Sequence, residues 1–358
     1  MDKCTALYQE QRLSLLPPWT ELGQLPAKGN KRLWISPTEF LEVTNALQVA
    51  RWAVVSSQAL RPRLSDPARR GPKQVYADES ILLVALVHLA WQMGYGEVID
   101  YFRAHPEAAQ AAGFSGGRVI SIGQYWERRR ALGILPFWLL FVGMVWQLLR
   151  MSVIQGVDVI LDSTTQKAWF HEDADAAWSF PKPWKGPVWG YKVHTLLCRH
   201  AQLPILFLVS PANRHDCLFA IPLLALAVAF FGLQIAVVRA DAGYFTYAIL
   251  GFIHDVLQAS AVIDYNLRRR GKRALATLFF IDQWRFHQRF RSTIERHFAW
   301  AKRYFGLESA RWCGWVAAYQ HTALVYTTML AVALIAYRYQ RPELSGSRSR
   351  VLAVKTLS

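Results

Sequence analysis

Three acidic residues stand where they could act together on a phosphodiester bond. Asp162 follows the apolar run VDVIL, and Asp241 follows the apolar run IAVVRA. A carboxylate at the end of a buried strand is held in place by the sheet while its oxygens face solvent. Each aspartate alone is equally typical of a turn, where Asp is common. The two aspartates indicate a functional site only when they are taken together and with a third acidic residue.

The third carboxylate is Glu295, within the segment FRSTIERHFAWAKRYFG. This segment predicts an amphipathic helix with an apolar stripe. Arg291 lies four residues before Glu295 and Lys302 seven residues after it, so the three share one helix face. An exposed ion pair on that face would by itself contribute only about 0.3–0.5 kcal/mol. The alternative to a functional role is therefore a weak surface pair.

Three carboxylates are a suitable ligand set for two Mg²⁺ ions, because hard cations prefer oxygen ligands. A metal pair activates a water or a 3′-hydroxyl and stabilises the oxygen that leaves phosphorus. The pattern predicts Asp162, Asp241 and Glu295 as metal ligands and catalytic residues. Mg²⁺ is the expected cofactor, with Mn²⁺ able to replace it. Such a site could both cleave and join DNA strands.

The elements around these residues predict a mixed α/β domain. Apolar and β-branched runs predict strands at residues 157–164, 190–198, 203–209, 234–244 and 259–265. Helical patterns cover residues 218–231, 246–257 and 284–305. Strands followed by alternating helices and strands favour a mixed sheet with helices on its faces. This sheet would have to position all three carboxylates.

The chain divides by composition into four predicted parts. Residues 1–75 form a basic N-terminal segment and connector, and residues 76–150 form a helical region. Residues 151–340 form the catalytic domain, and residues 341–358 form a basic tail. The 358 residues hold 41 Lys and Arg against 25 Asp and Glu, a net charge of +16. This balance favours a polyanionic partner, either nucleic acid or an anionic membrane.

Membrane insertion is the main alternative from a different class. Residues 218–238 carry no formal charge, which is close to the roughly 20 residues needed to span a bilayer. Pro222 and Gly232 interrupt this run and favour a buried helix followed by a buried strand. We therefore expect no membrane association. The N-terminus has no secretory leader pattern, and the four cysteines have no zinc-ligand spacing.

The residues around the three carboxylates resemble the insertion-sequence DDE transposases of the RNase H-like superfamily, in particular those with a Y-x2-R-x3-E-x6-K signature. Arg291, Glu295 and Lys302 match its last three positions, and Gln288 stands at the tyrosine position. LDST matches the first aspartate segment and ADAGY the second. The resemblance runs over residues 157–326. It implies an RNase H-like mixed sheet flanked by helices, preceded by a helical DNA-binding region.

Several basic residues are candidates for DNA contact. Lys192 and His194 alternate on a predicted strand, and either a phosphate contact or a solvated strand face explains them. Arg291 and Lys302 would neutralise phosphates beside Glu295. The remaining candidates are three consecutive arginines in the helical region, Arg128, Arg129 and Arg130. Asp216, at the head of a predicted helix, is either a helix cap or a fourth metal ligand.

The expected function is that of a DNA transposase, acting on double-stranded DNA at terminal inverted repeats and at a target. Because two ends must be joined, we expect a homodimer on DNA. We expect it in the bacterial cytoplasm, associated with the nucleoid. Alternatives are a metal-dependent DNA nuclease without transposition, a basic membrane protein, and a catalytically inactive DNA-binding descendant.

Overall fold

The computed structural model describes residues 23–29, 31–60, 76–116, 118–180, 186–264, 290, 292–308 and 312–353. Two compact units make up the chain, one of Met1–Met144 with Ala323–Ser358 and one of Val145–Thr322. The expected connector at residues 61–73, the basic loop at 266–273, Gln288 and Arg291 lie outside the described residues. The four-part division of the sequence stays a prediction.

Helices form the N-terminal region, as the sequence predicts. In chain order they are α1 (Pro37–Val43), α2 (Ala46–Leu60), α3 (Asp78–Trp91), α4 (Tyr95–Ala104), α5 (Pro106–Ala111), α6 (Ile122–Ala131) and α7 (Leu135–Arg150). Helix α3 is apolar around most of its circumference, and its middle is buried accordingly. Ser36 caps α1 by accepting the backbone N–H of Glu39 at 3.2 Å.

Helices α1 and α2 lie within the segment that composition assigned to a basic N-terminal part and connector. Phe40, Leu41 and Val49 on these helices are buried. Their apolar residues recur at helical spacing, so one face can pack against the other helices of the unit. Two packed helices therefore lie within a segment whose composition is basic.

A six-stranded mixed sheet forms the second unit in the described part of the chain. Its strands are β1 (Asp158–Lys167), β2 (Ala177–Ser179), β3 (Val188–Cys198), β4 (Leu203–Pro211), β5 (Val237–Ala240) and β6 (Ser260–Ile263). The order is β2-β3-β1-β5-β6, and β4 also pairs with β3. Strand β3 runs antiparallel to both β1 and β4, whereas β5 and β6 run parallel to β1. The predicted mixed sheet flanked by helices is confirmed.

Three helices of the second unit follow the predicted alternation. Helix α8 (Ala220–Phe231) continues a 3₁₀ turn at Asp216–Phe219, α9 (Tyr247–Gly251) leads into a π turn at Phe252–Val256, and α10 (Ser292–Phe305) follows the sheet. Gly232 ends α8 in the left-handed conformation, with φ of 64°. The uncharged run 218–238 is thus a helix followed by β5, as predicted.

The chain ends with α11 (Trp315–Arg338), a 3₁₀ turn at Pro342–Leu344 and α12 (Arg348–Val351). The predicted basic tail is anchored to the first unit. The Trp91 Nε1 donates to the Ala353 carbonyl at 3.1 Å, and Ile35 forms a parallel bridge with Leu352. The first and last described segments are therefore joined by backbone pairing.

Among the described residues, α11 is long and apolar enough to cross a membrane, judged by length and composition alone. The number rises to three if the bent pairs α3–α4 and α6–α7 each count as one span. The apolar window of α11 is wholly buried inside the protein. Buried polar residues, among them His321 and Thr327, also lie on this helix. Other parts of the protein therefore surround the apolar stretch of α11.

Candidate active site

Strand register places Asp162 and Asp241 side by side. In the parallel pairing of β1 with β5, Asp158 lies opposite Val237 and Ile160 opposite Arg239. Asp162 in β1 and Asp241 directly after β5 each lie two residues beyond that last pair, and paired strands are about 4.8 Å apart. Asp162 lies on the same face of β1 as Ile160, because side chains alternate along a strand. The two predicted aspartates are therefore neighbours.

One expectation about Asp162 is wrong. The sequence places it at the end of an apolar strand, but β1 continues to Lys167. The reason is that β1 pairs with β3 along its whole length and with β5 only over its first residues. Asp162 thus lies in mid-strand, at the point where the parallel pairing ends and β5 turns away.

Local hydrogen bonds orient both aspartates. Asp241 caps the 3₁₀ turn Ala242–Tyr244, and its Oδ1 accepts the Gly243 N–H at 2.8 Å. The Oδ1 of Asp162 accepts the N–H of the next residue, Ser163, also at 2.8 Å. Each carboxylate therefore has one oxygen held by adjacent backbone, which limits its rotation.

Helix α10 packs on the same face and carries Glu295. Ile294 and Phe298 form a core cluster with Ile160 of β1 and Leu197 of β3. Further along, the Lys302 Nζ donates to the Thr165 carbonyl of β1 at 3.0 Å. Helix and strand thus run in the same direction. The predicted apolar stripe of this helix is confirmed, since Ile294, Phe298, Ala301 and Phe305 are buried.

The same contacts set Glu295 level with Asp162. Seven helical residues separate Glu295 from Lys302, a rise of about 10 Å. Three strand residues separate Asp162 from Thr165, also about 10 Å. Because Lys302 contacts Thr165, these equal rises would put Glu295 at about the height of Asp162 along the strand. Its side chain is exposed.

Within the described residues, no group of three or more His, Cys, Asp or Glu side chains is arranged to hold a metal ion. The two aspartates and Glu295 therefore lie on neighbouring elements without being gathered into one ligand cluster. Their donor chemistry still suits a hard divalent cation, because all three offer carboxylate oxygens. Asp162 and Asp241 follow paired residues of β1 and β5, and Glu295 lies on the helix that packs against this sheet.

A buried phenol lies among the aspartates. The Tyr244 hydroxyl is inaccessible to solvent and has no hydrogen-bond partner within the described part of the chain. Burial raises the pKa of Tyr244 well above its usual value, and the negative charges of Asp162, Asp216 and Asp241 raise it further. The phenol therefore keeps its proton. A fourth carboxylate, Asp216, is close enough to influence the same hydroxyl.

Lys192 and His194 meet Asp216 on the other face of the sheet. The Lys192 Nζ donates to Asp216 Oδ1 at 3.1 Å and to the Arg214 carbonyl at 3.0 Å. The His194 Nε2 lies 2.9 Å from Ser210 Oγ, and its Nδ1 lies 3.6 Å from Asp216 Oδ1. Burial lowers the pKa of His194 to about 4, so the ring is neutral at pH 7. Lys192 is thus paired with Asp216, and the neutral His194 ring lies beside the same carboxylate.

A second charged cluster was missed by the sequence analysis. Asp158 accepts hydrogen bonds from Arg239 Nε at 2.7 Å and from Arg199 Nε at 2.6 Å. Both guanidinium groups lie over the Phe290 ring, at 5.5 Å and 4.4 Å from its centroid. The cluster therefore connects Phe290, near the start of α10, with β1 and β5. Charged residues inside the apolar runs VDVIL and AVVRA were the available signal, because buried charges need partners.

The three predicted DNA-binding arginines lie on α6 in the first unit. Arg128 pairs with Asp78, and Arg129 Nη1 lies 3.5 Å from the Tyr95 hydroxyl. Arg130 is exposed, and its guanidinium lies 5.6 Å from the centroid of the Trp126 ring. Of the three, Arg130 is the one whose charge is presented on the surface.

Residues 155–331 match the family model of the transposase DDE domain. The matched stretch includes Asp162, Asp241 and Glu295, and it confirms the resemblance to DDE transposases over that range. One similar solved structure is described as the cryo-EM structure of the piggyBac transposase synaptic complex with hairpin DNA. The two chains share 10% sequence identity with a TM-score of 0.44, over 90% of this chain and 82% of that one. No curated protein matches the chain.

Proposed function

We propose that this chain is a DNA transposase of an insertion sequence, which cleaves phosphodiester bonds at transposon ends and joins the ends to a target. The position of Asp162 in β1 and of Asp241 directly after the neighbouring parallel strand β5 carries the proposal, together with Glu295 on the helix that packs against this sheet. All three lie within the stretch that matches the transposase DDE domain. Arg291, Glu295 and Lys302 have the spacing of the Y-R-E-K signature, in which Gln288 replaces the tyrosine.

Asp162, Asp241 and Glu295 would hold two Mg²⁺ ions, for which Mn²⁺ could substitute. The bound ions would activate the attacking water or 3′-hydroxyl and stabilise the oxygen that leaves phosphorus. The chain's own part is to fix the carboxylates, through β1, β5 and the helix packed over them. Lys302 and Arg291 would add positive charge for DNA phosphates beside Glu295.

The partner in this proposal is double-stranded DNA, at terminal inverted repeats and at the target. The net charge of +16 supports a polyanionic partner. Two ends must be brought together for joining, so we propose a homodimer on DNA. The corresponding location is the bacterial cytoplasm, at the nucleoid.

The decisive experiment replaces each carboxylate by its amide. Asp162→Asn, Asp241→Asn and Glu295→Gln should each abolish Mg²⁺-dependent cleavage and strand transfer, because each removes metal-binding charge. DNA affinity should stay near that of the wild type, since the cationic contacts remain. The measurements are cleavage of supercoiled plasmid carrying the element's flanking DNA, and DNA binding by fluorescence anisotropy.

Asp255→Asn is the matched control, because Asp255 is a largely exposed acid of the same unit, paired with His254. It should cleave like the wild type. A carboxylate variant with undiminished cleavage would remove that residue from the ligand set. Cleavage without any strand transfer would instead indicate a metal-dependent nuclease.

A further inference from the structure

Asp216 is the meeting point of three side chains from the central strands. Its Oδ1 accepts the Ser163 hydroxyl at 2.8 Å and the Lys192 ammonium at 3.1 Å. The Nδ1 of the buried His194 lies 3.6 Å from the same oxygen. Ser163 belongs to β1, whereas Lys192 and His194 belong to β3. One carboxylate oxygen therefore links the two strands.

The register shows that this link lies on the face of β1 opposite to the Asp162 side chain. Ser163 is paired with His194, and Thr165 is paired with Lys192. Ile160, Asp162 and Gln166 lie on the opposite face, which α10 covers. Side chains alternate along the strand without a break in this pairing. Asp216 thus contacts the residue after Asp162 from the face away from Glu295.

Two hydrogen bonds connect Asp216 to Asp162 through one residue. The Ser163 hydroxyl donates to Asp216, and the Ser163 backbone N–H donates to Asp162 Oδ1 at 2.8 Å. Lys192 offsets the charge of Asp216 where both side chains are mostly buried, at 16% and 33% exposure. A carboxylate already bound by an ammonium and a hydroxyl has less capacity for a cation than one facing solvent.

We propose that Asp216 is a positioning residue, which acts through Ser163 to fix the orientation of the Asp162 carboxylate. Asp216 is then a supporting residue and is not a fourth metal ligand. The inference rests on the proposed function, because it concerns the site of Asp162. Partners that orient metal-binding side chains typically change metal affinity or activity by about 10- to 100-fold when they are removed.

The test uses the full chain with two readouts. Mn²⁺ affinity is measured by titration calorimetry, and single-turnover DNA cleavage is measured at saturating Mg²⁺. Asp216→Ala and Ser163→Ala should each weaken Mn²⁺ binding or slow cleavage by about 10- to 100-fold, because each removes one side of the hydrogen bond between the two residues. The double variant should lose no more than the worse single variant, because both changes break the same link. Ser163→Thr keeps a hydroxyl group and should show the Mn²⁺ affinity and cleavage rate of the wild type.

Other results overturn the positioning role. A loss in Asp216→Ala equal to that in Asp162→Asn, with wild-type behaviour of Ser163→Ala, would make Asp216 a ligand. Additive losses in the double variant would show that Asp216 and Ser163 act independently. Wild-type values for both single variants would show that neither residue positions Asp162. Asp255→Ala serves as the control for a removed carboxylate, and Ser163→Ala keeps the test valid if Asp216→Ala does not fold.

The two proposals can fail separately. A wild-type chain that binds Mn²⁺ but cleaves no DNA would contradict the transposase function, and the Mn²⁺ affinities of the variants would still decide the role of Asp216. A wild-type chain that neither binds Mn²⁺ nor cleaves DNA would overturn both.

Discussion

At the scale of single residues, the acids give a clearer signal in the sequence than their basic neighbours. Asp162 and Asp241 were recognisable because an acid after an apolar run is unusual unless a turn or a site needs it. Lys192 and His194 gave only an alternating pattern, which fits a phosphate contact and a solvated face equally. Their real surroundings depend on Phe219, which stacks on His194 at 3.9 Å from a distant turn. No local pattern could reveal that contact.

The buried histidines predict how stability depends on pH. Burial lowers the pKa of His297 from 6.5 to about 4. Between these values the unfolded chain binds more protons than the folded chain, so the free energy of unfolding falls as the pH drops from about 6.5 towards 4. Each unit of pKa difference corresponds to about 1.4 kcal/mol. His297→Gln should therefore make this fall shallower, as measured by urea unfolding across the range.

His254→Gln provides the comparison, because the His254 side chain is 85% exposed. It should leave the pH profile as it is in the wild type. Equal profiles for His297→Gln and the wild type would mean that His297 is not held neutral by burial.

At the scale of elements, strand positions followed from apolar runs, but strand lengths did not. The first half of β1, through Leu161, is buried and, apart from Asp158, apolar, whereas the second half, DSTTQK, is polar. Periodicity therefore predicted too early an end, although antiparallel pairing with β3 continues to Lys167. Long-range backbone pairing is the information that a local pattern lacks. The break between α8 and β5 was predictable, because Gly232 is a local signal.

A close backbone approach between β1 and β3 provides a test of this pairing. A Cβ added to Gly190 would lie 2.1 Å from the Gln166 carbonyl oxygen and 2.7 Å from the Ala168 nitrogen. Backbone atoms cannot move away without breaking the ladder, so Gly190→Ala should destabilise the protein by at least about 1–3 kcal/mol. The measurement is the midpoint of chemical unfolding.

Gly123→Ala is the matched substitution, because a Cβ there would meet no described atom within 4 Å. Gly123 lies in α6, where Ala is favoured over Gly by up to about 1 kcal/mol. This variant should be as stable as the wild type or more so. Gly190→Ala with wild-type stability would contradict the observed approach of the two strands.

At the scale of the whole molecule, composition indicated a polyanionic partner but not the surface that meets it. The first 75 residues appeared as one basic connector because their charges obscured the apolar periodicity of α1 and α2. The arginine triplet appeared uniform in sequence, although helical geometry sends consecutive residues in different directions. Tyr125 of α6 is buried, so residues close to it on the helix turn inward. Only the packing of α6 distinguishes Arg128 from Arg130.

That distinction predicts different effects of the two arginines on DNA binding. Arg130 is exposed beside Trp126, so Arg130→Ala should weaken binding of the full chain to a mixed-sequence DNA duplex. One fewer released counterion should reduce the slope of log affinity against log salt by about one. Arg128 instead pairs with Asp78, and both side chains are less than a third exposed. Arg128→Ala should lower thermal stability and leave the salt slope near the wild-type value. The measurement is anisotropy at a series of salt concentrations, with melting curves for each variant. An unchanged slope for Arg130→Ala, or a reduced slope for a fully folded Arg128→Ala, would place the DNA-binding surface elsewhere than the exposed face of α6.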